Sequence, residues 1–269
     1  MKKGSGLRAY AIAYLLFLYA PVFLLPLFAF NDGTVIAFPL RGFTTNWFAA
    51  MFANEALRQA VGNSLLIAVC SSVIATSLGV FAARSSTRYN YRFKGGIIGL
   101  IMLPLVMPEI ILAVALLVVM LGIGIPLGIV TVIIGHVLVC TPFTIAILNG
   151  AFMSLDKSLE EAAIDLGETK ISTFRLIVLP LVMPGIISAL LISFTISLDE
   201  FLMAFFLAGS EVTLPMYIWS QLRFPAELPV IMALGTMLVC LSIALLTIAE
   251  YFRRRGIAKS GGKDTGGFL

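Results

Sequence analysis

The sequence predicts an all-α protein, a polytopic bundle of six transmembrane helices formed as a single domain over residues 1–269. Hydrophobic residues make up 60% of the chain and charged residues only 12%, whereas about a quarter of an average soluble domain is charged. This leaves too little polar surface to cover a water-soluble globule, so the lipid bilayer is the first expected partner. The net charge of +4 does not indicate nucleic acid, because in a membrane chain the position of the charges carries the information.

Six apolar segments are long enough to span a bilayer, which takes about 20 residues of helix. In chain order they are 9–30, 60–83, 97–121, 127–149, 179–204 and 229–251. The third and fourth are separated only by a tight turn, at Gly122, Gly124 and Pro126. The first has the basic start of a signal peptide but a longer apolar stretch, so we expect a retained anchor. The Gly- and Lys-rich tail, 256–269, is predicted to be disordered.

The basic residues fall on one side of this topology. Fifteen of the 18 Lys and Arg residues lie before the first span, after the last, or in the loops that follow spans two and four. The opposite loops hold only Arg41, Arg58 and Arg223. Because cytoplasmic loops carry the excess of basic residues, both termini are predicted to be cytoplasmic.

The long outer loop, 31–58, contains Trp47 and several phenylalanines. Thr44 or Thr45 is positioned to start a short helix there, and aromatic residues favour the membrane interface. Such a helix would either anchor the chain or dock an external partner, and the sequence leaves both interpretations open.

A short segment is repeated at the start of spans three and five. Residues 103–111 read LPLVMPEII and residues 179–187 read LPLVMPGII. Each copy has two prolines, and each proline removes a backbone donor and clashes with the preceding turn. Both helices should therefore be kinked or loosened there, which a membrane tolerates only where the backbone is packed in protein or faces a cavity. The repeat indicates that spans three and five line a central pathway, unless two similar helix starts arose without a shared function.

The loop 150–178, between spans four and five, is the most polar interior stretch. Ser158 and Glu161 match an S-x-x-E capping box, which predicts a short helix starting at Ser158. Gly167 is the kind of residue that ends such a helix, and a second helical piece over about 169–177 leads into span five. One side of the first helix is apolar and includes Leu159, Ala162, Ala163 and Leu166. A helix-turn-helix with so small an apolar face suits a groove on another protein.

The same loop carries a family motif. It resembles at every fixed position the EAA motif of ABC-importer permeases, which is E-A-A, three residues, G, nine residues and I-x-L-P. The matching residues are Glu161, Ala162, Ala163, Gly167, Ile177, Leu179 and Pro180. The loop also lies on the predicted cytoplasmic side. The resemblance covers the topology of the whole chain and is most specific over about 150–200.

The resemblance implies a type I ABC importer permease fold in a bacterial inner membrane, together with several partners. In that family the loop is a coupling helix set in a cleft of a cytoplasmic ATPase dimer. The residues that would contact the ATPase are Glu161, Ala162, Ala163 and Gly167. The residues that would set the start of the following helix are Ile177, Leu179 and Pro180. The family further implies a second, non-identical permease subunit and an external, periplasmic solute-binding protein.

This chain is expected to hold no cofactor and to have no enzymatic activity of its own. The Gly262-Lys263 pair has Ile257 and Asp264 at the positions where a phosphate-binding loop needs Gly and Ser or Thr. ATP and Mg²⁺ would therefore be bound by the partner ATPase. The cysteines lie far apart in the sequence and fit neither a disulfide framework nor a metal site.

Ionisable residues inside the predicted spans are candidate functional residues. They are Glu109 in span three, His136 in span four, and Asp199 and Glu200 near the outer end of span five. Glu109 would lie about 18 Å along its helix at 1.5 Å per residue. Adjacent residues of a helix point about 100° apart, so at most one of Asp199 and Glu200 is expected to face the pathway squarely. Acids without a basic residue at depth favour a cation.

Each of these residues also has a purely structural interpretation. Asp199 and Glu200 would extend to the outer interface, Glu109 would accept from donors freed by the prolines, and His136 is expected to be a hydrogen-bonded packing residue. The segment SFT-I-SLDE, 193–200, resembles the corresponding span of polyamine permeases, the C-type subunits of spermidine/putrescine systems. A polyamine is therefore the expected solute, while related permeases carry amino-acid derivatives, phosphonates, sulfate or iron.

Three other classes fit the sequence less well. A secondary transporter or channel would need no coupling motif. A membrane enzyme would need a clustered nucleophile or metal set, and the chain has one histidine and no H-E-x-x-H. An exporter half would typically be fused to its ATPase and have long cytoplasmic extensions, which these short inner loops lack.

Overall fold

The computed structural model describes the backbone of residues 4–260 and the side chains of residues 6–244 and 247. Within this range the regular structure is helical, with one isolated β-bridge between Asn31 and Phe43. The helices fall into two compact units, with boundaries after Glu55 and after Tyr217. The single domain predicted over 1–269 stays a prediction.

The first unit consists of the described residues up to Glu55 and those after Tyr217. Its helices are α1 (Gly4–Ala29), α2 (Asn46–Ala53) and α12 (Leu228–Ser260), with a 3₁₀ turn at Pro225–Glu227. α12 packs along α1. Gly235 allows this close approach, since a Cβ there would lie 3.3 Å from a methyl carbon of Leu25.

Asn31 organises the loop between α1 and α2. It is buried, its Oδ1 accepts from the backbone N–H of Arg41 at 3.0 Å, and its carbonyl accepts from the indole N–H of Trp47 at 2.8 Å. The short helix predicted in this loop is confirmed as α2. Thr44 Oγ1 accepts from the N–H of Asn46, which satisfies one of the donors that a helix start leaves free.

The last helix runs further than predicted. α12 continues to Ser260, so residues 256–260 are helical and not part of a disordered tail. Ala258 and Lys259 favour helix, and a single Gly256 costs about 1 kcal/mol, too little to end a long helix. Residues 261–269 of the predicted tail lie outside the described residues.

The second unit contains the remaining helices. In chain order they are α3 (Glu55–Arg88), α4 (Lys94–Met102), α5 (Glu109–Gly122), α6 (Ile129–Met153), α7 (Lys157–Asp165), α8 (Lys170–Thr173), α9 (Leu179–Asp199), α10 (Leu202–Leu207) and α11 (Leu214–Gln221), of which α11 crosses the boundary after Tyr217. A π-helix, Phe174–Val178, joins α8 to α9 without a break. The tight turn predicted between spans three and four is confirmed between α5 and α6, with Gly124 at φ +76°.

Five of the described helices are long and apolar enough to cross a membrane, and the bent pair α4–α5 adds a sixth span if it is counted as one. The chain is thus a polytopic helical membrane protein, as predicted. The third span, predicted over 97–121, is broken near its prolines, where a kinked or loosened helix is expected: α4, with its 3₁₀ extension Leu103–Leu105, meets α5 at 105°. Pro108 has a ψ of 128° and α5 starts at the next residue, since proline is tolerated at a helix start but not in its interior.

The two copies of the repeat fold differently. In the second copy, α9 stays helical through Pro184. The loosened backbone expected there is the π-helix that precedes α9. Pro180 is the second residue after this π-helix, and the wider turn relieves the clash of the proline ring. The copies differ in having Glu109 in the first and Gly185 in the second. A Cβ on Gly185 would lie 2.5 Å from the Cβ of Ala151 on α6, so this position of α9 has no room for a carboxylate.

α6 is the central support of the second unit. It packs most extensively against α9 and also contacts α4, α5 and α10. Thr144 Oγ1 donates to the carbonyl of Ala75 on α3 at 2.9 Å, and Thr131 Oγ1 donates to the carbonyl of Leu207 on α10 at 2.7 Å. Small residues and hydroxyl bonds of this kind hold helices together in a membrane, where lipid is as apolar as the side chains.

Gly185→Ala should destabilise the packing of α9 on α6. The added methyl would overlap Ala151, and overpacking of this kind costs about 1–3 kcal/mol. The matched control is Gly150→Ala in α6, where a Cβ meets nothing within 4 Å. Thermal unfolding in mild detergent should show a lower midpoint for Gly185→Ala and an equal or higher midpoint for Gly150→Ala. Equal midpoints for the two variants would contradict the close crossing of α6 and α9.

Candidate functional site

The interruption before α5 and the end of α9 bring all three predicted acids to one cavity. Its volume is about 490 Å³. Its lining residues are Glu109 from α5, Val139 and Phe143 from α6, Thr195, Ile196 and Asp199 from α9, and Glu200, Phe201 and Leu202 after it. This space is termed the acidic cavity. The predicted spans three and five both contribute to it, and so does α6, which the sequence did not indicate.

The end of α9 places Glu200 at the cavity. α9 stops at Asp199 and not at 204 as predicted, and Glu200 has a ψ of 118°, outside the helical range. Glu200 is buried, and its Oε1 accepts from the N–H of Met203 in α10 at 2.9 Å. Asp199 is exposed and lines the same cavity. The expected 100° separation of these two side chains does not apply, because the helix ends between them.

Glu109 opens a helix instead of lying inside one. It is the first residue of α5 and is half-buried. The prediction that it lies about 18 Å along its helix is wrong, because α4 and α5 are separate helices and Glu109 begins the second. A carboxylate in the first turn of a helix is favourably placed relative to the helix dipole.

The cavity has the chemistry of a cation site. Three carboxyl groups, the rings of Phe143 and Phe201, and the hydroxyl-bearing Thr195 line it, with no Lys or Arg among the lining residues that the structure describes. Carboxylates attract cations directly, and aromatic ring faces attract them through the ring quadrupole.

His136 is not among the residues of this lining. It is 2% exposed, and its Nδ1 lies 2.7 Å from Oγ of Ser197 on α9. The prediction of a hydrogen-bonded packing residue is confirmed, and the bond joins α6 to α9 inside the core of the unit.

The 150–178 loop forms the predicted helix-turn-helix, with a different cap. α7 starts at Lys157, and Asp156 is its N-cap, with Oδ1 accepting from the N–H of Ser158 at 3.0 Å. The predicted capping box of Ser158 and Glu161 is wrong, because the aspartate occupies the cap and Ser158 lies in the first turn. The hydrogen bond from the Ser158 N–H holds the pKa of Asp156 below its ordinary value.

Gly167 ends α7 as predicted. Its φ is +94°, its N–H donates to the carbonyl of Ile164 at 2.9 Å, and the N–H of Glu168 donates to the carbonyl of Ala163 at 3.0 Å. Left-handed backbone costs a residue with a Cβ about 1–2 kcal/mol. Glycine is therefore the residue that lets the chain turn from α7 into α8.

Exposure divides the residues of the motif. Glu161, Ala162 and Gly167 are exposed, whereas Ala163 is 5% exposed and packs inward. The small apolar face predicted for docking is therefore incomplete, because Ala163 already packs within this chain. The remaining motif residues lie where the loop joins α9, a position that suits the structural role the resemblance implies: Ile177 in the π-helix, and Leu179 and Pro180 at the start of α9.

Two apolar side chains extend the exposed face of the loop. Leu166 is 87% exposed and Ile171 is 81% exposed, one on each side of the Gly167 turn. The sequence placed Leu166 on the apolar side of its helix but did not single out Ile171. Exposure of a side chain on a short loop depends on how the turn folds, which helical periodicity does not report.

A multi-span helical unit that combines an acidic cavity with a polar helix-turn-helix loop has the features expected of a membrane transport subunit. The chain belongs to the family of binding-protein-dependent transport system inner membrane components, which it matches over residues 75–256. It is 38% identical over 232 residues to the putrescine transport system permease protein PotI of Escherichia coli, covering 83% of this chain and 82% of that protein. It is 32% identical over 249 residues to the spermidine/putrescine transport system permease protein PotC of Haemophilus influenzae, covering 92% of this chain and 96% of that protein.

Solved structures share the fold. A chain of a bacterial ABC transporter that imports the acidic polysaccharide alginate superposes with a TM-score of 0.69 at 16% identity, covering 94% of this chain and 98% of that one. A chain of a bacterial alginate ABC transporter, in complex with a periplasmic protein that holds an alginate pentasaccharide, superposes with a TM-score of 0.66 at 19% identity, covering 90% and 91%.

Family membership confirms the class of protein that the sequence predicted. The chain is a multi-pass inner-membrane permease subunit of the ABC transporter class and not an enzyme. The EAA resemblance and the helical membrane fold are confirmed with it. The cytoplasmic position of the two termini stays a prediction.

The lowered pKa of Asp156 makes the cap of α7 sensitive to acid. Because the folded pKa lies below the unfolded value, the stabilisation is present at neutral pH and is lost as pH falls through the folded pKa. Hydrogen exchange of the α7 amides should therefore show protection that falls below about pH 4. Asp156→Ala should be less protected at neutral pH.

The matched control is Asp156→Asn. Asparagine caps helices about as effectively as aspartate does, but its side chain does not titrate. Protection of α7 should therefore be independent of pH in this variant. The same loss of protection in acid with asparagine in place would assign the effect to another group.

Proposed function

We propose that this chain is the membrane permease of an ATP-driven importer that takes up a polyamine, putrescine or spermidine, or a related small cation. The observation that carries the proposal is the acidic cavity, where Glu109, Asp199 and Glu200 meet without a basic residue among the described lining. A solute with two or more ammonium groups matches a lining of several carboxyl groups, since hydrogen bonds between charged groups are stronger than those between neutral groups.

The names of the relatives point to the same class of solute. PotI is a putrescine permease and PotC a spermidine/putrescine permease. Phosphonate or sulfate, carried by other permeases of this kind, would be repelled by a lining of carboxylates. An amino-acid derivative with a cationic group is the alternative solute that this lining also allows.

The energy source in this proposal is a cytoplasmic ATPase dimer that binds ATP and Mg²⁺. The 150–178 loop supports this partner through its exposed face. This face exposes the apolar side chains of Leu166 and Ile171 next to Glu161 and Ala162. Contact of such large apolar side chains with water is unfavourable, so their exposure indicates a surface that a partner covers. A groove on the ATPase would bury both side chains around the Gly167 turn.

Two further partners complete the proposed assembly. One is a second, non-identical permease subunit, and the other is an external, periplasmic solute-binding protein. The family takes its description from transport systems that depend on a binding protein. One structural neighbour forms a complex with a periplasmic protein that holds its solute.

A continuous helical run joins the loop to the acidic cavity. It covers 30 residues from Lys170 to Asp199, about 45 Å at 1.5 Å per residue. When the ATPase dimer closes and moves the loop, this run would displace Asp199 relative to Glu109, which lies on a separate helix. A changed spacing of the carboxylates changes the affinity for the solute, as switching between outward- and inward-facing states requires.

Neutral replacements of the cavity acids should weaken binding of the solute. Glu109→Gln, Asp199→Asn and Glu200→Gln should each raise the KM for putrescine about tenfold, because a hydrogen bond to a charged group is worth about 1.5–3 kcal/mol. The assay is ATP-driven uptake of labelled putrescine into proteoliposomes that contain the complex, with the binding protein supplied on the outside.

The matched control for the cavity acids is Glu211→Gln. Glu211 accepts a hydrogen bond from Asn63 at 3.2 Å and is not among the lining residues, so the KM should not change. Unchanged KM values for all three cavity variants would contradict the cation lining. ATP hydrolysis by the complex without polyamine uptake would contradict the proposed solute but would leave the assignment as a permease intact.

Changes on the exposed face of the 150–178 loop should uncouple or release the ATPase. Glu161→Lys and Gly167→Val should abolish uptake while the chain stays inserted, because one reverses a charge and the other strains left-handed backbone. Leu166→Asp should lower the amount of ATPase that copurifies with the chain. Glu168→Gln, at the same turn, is the control and should behave as the unchanged protein. Normal uptake by Glu161→Lys would contradict the coupling role of the loop.

A further inference from the structure

Two arginines at the end of α3 hold the 150–178 loop. Arg84 and Arg88 lie one helical turn apart, so both face the loop from the same side of α3. Arg88 Nε donates to Glu160 Oε1 at 2.7 Å, and Arg84 Nη2 donates to Glu160 Oε2 at 3.2 Å. Each oxygen of the Glu160 carboxylate is thus engaged by a different arginine. Glu160 stands next to the motif but is not one of its fixed positions.

The same arginines reach two other points of the loop. Arg88 Nη2 donates to the carbonyl of Leu155 at 2.8 Å, just before α7. The guanidinium carbon of Arg84 lies 4.6 Å from the centroid of the Phe174 ring, at the start of the π-helix that leads into α9. The contacts therefore connect α3 to the segment before α7, to α7 itself and to the segment after α8.

These contacts are shielded from water. The exposed fractions of the side chains are 16% for Arg84, 10% for Arg88 and 14% for Glu160. A shielded pair is screened much less by salt than a surface pair. Lysine is not an equivalent replacement, because Arg88 donates from two different nitrogens of a planar group and the planar guanidinium of Arg84 lies over a ring, whereas an ammonium group has a single nitrogen and no fixed fork.

We infer that Glu160, Arg84 and Arg88 form a clamp that makes α3 move with the 150–178 loop. The inference rests on the proposed function, in which the ATPase dimer moves this loop. α9 receives that motion through the continuous helix, and the clamp passes it to α3 through side chains alone. Glu160 and the two arginines are thus positioning residues. Through them a movement of the ATPase displaces two membrane helices, α9 and α3, instead of α9 alone.

The test separates coupling from folding. Glu160→Gln, Arg84→Gln and Arg88→Gln are compared in the complete complex, reconstituted with its ATPase and binding protein. Each should lower the putrescine transported per ATP hydrolysed by about tenfold while the ATPase rate stays close to that of the unchanged complex. A defect in folding or assembly would lower transport and hydrolysis together. The control is Arg92→Gln, since Arg92 lies over the Phe93 ring in the segment between α3 and α4 and should leave the ratio unchanged.

A double variant decides whether the residues act through each other. Glu160→Gln combined with Arg88→Gln should lose clearly less than the product of the two single losses, because both changes remove the bond between Arg88 and Glu160. Losses that multiply, or an unchanged ratio in all single variants, would overturn the clamp. A failure of the unchanged complex to couple uptake to ATP hydrolysis would instead overturn the proposed function.

Discussion

Backbone polar groups inside a bilayer have to find partners within the protein, and this requirement decides where the chain can interrupt its helices. The first interruption follows α4, where the N–H groups of Val106 and Met107 both turn back to the carbonyl of Leu103. The second follows α9, where the Glu200 carboxylate takes the N–H of Met203. Residues next to both interruptions line the acidic cavity, so the broken helices and the polar interior are one feature of the molecule.

Continuity matters as much as interruption. The π-helix absorbs Pro180 without a break, and the run from Lys170 to Asp199 stays whole from the loop to the cavity. This run is thus continuous over the distance that a movement of the loop has to cover, and it ends at Asp199, one of the carboxyl groups of the cavity. The close fit of Gly185 against Ala151 seats this run on α6, which also bonds to it through His136 and Ser197.

The repeat shows how far a pattern in the sequence reaches. Two nearly identical segments predict two similar distortions, and the structure has a break of 105° in one and an unbroken helix in the other. The two segments differ in their surroundings. Gly185 packs against α6, whereas Glu109 lines the acidic cavity. The start of α7 is a second example. Asp156 and Ser158 are both residue types that cap helices, and the sequence pattern predicted Ser158, whereas the structure has Asp156 at the N-cap.

The sequence alone determined the membrane class, the number of apolar segments, the helix-turn-helix loop with its family motif, and the three acids as candidate residues. These follow from properties that lie within one stretch of chain: apolar length, charge distribution, residue spacing and the backbone preference of Gly167. Only the tertiary structure decided that Glu109, Asp199 and Glu200 share a cavity, that Ala163 is buried, and that Arg84 and Arg88 hold Glu160. Each of these depends on which distant helix supplies the neighbour, and spacing along one segment carries no information about that.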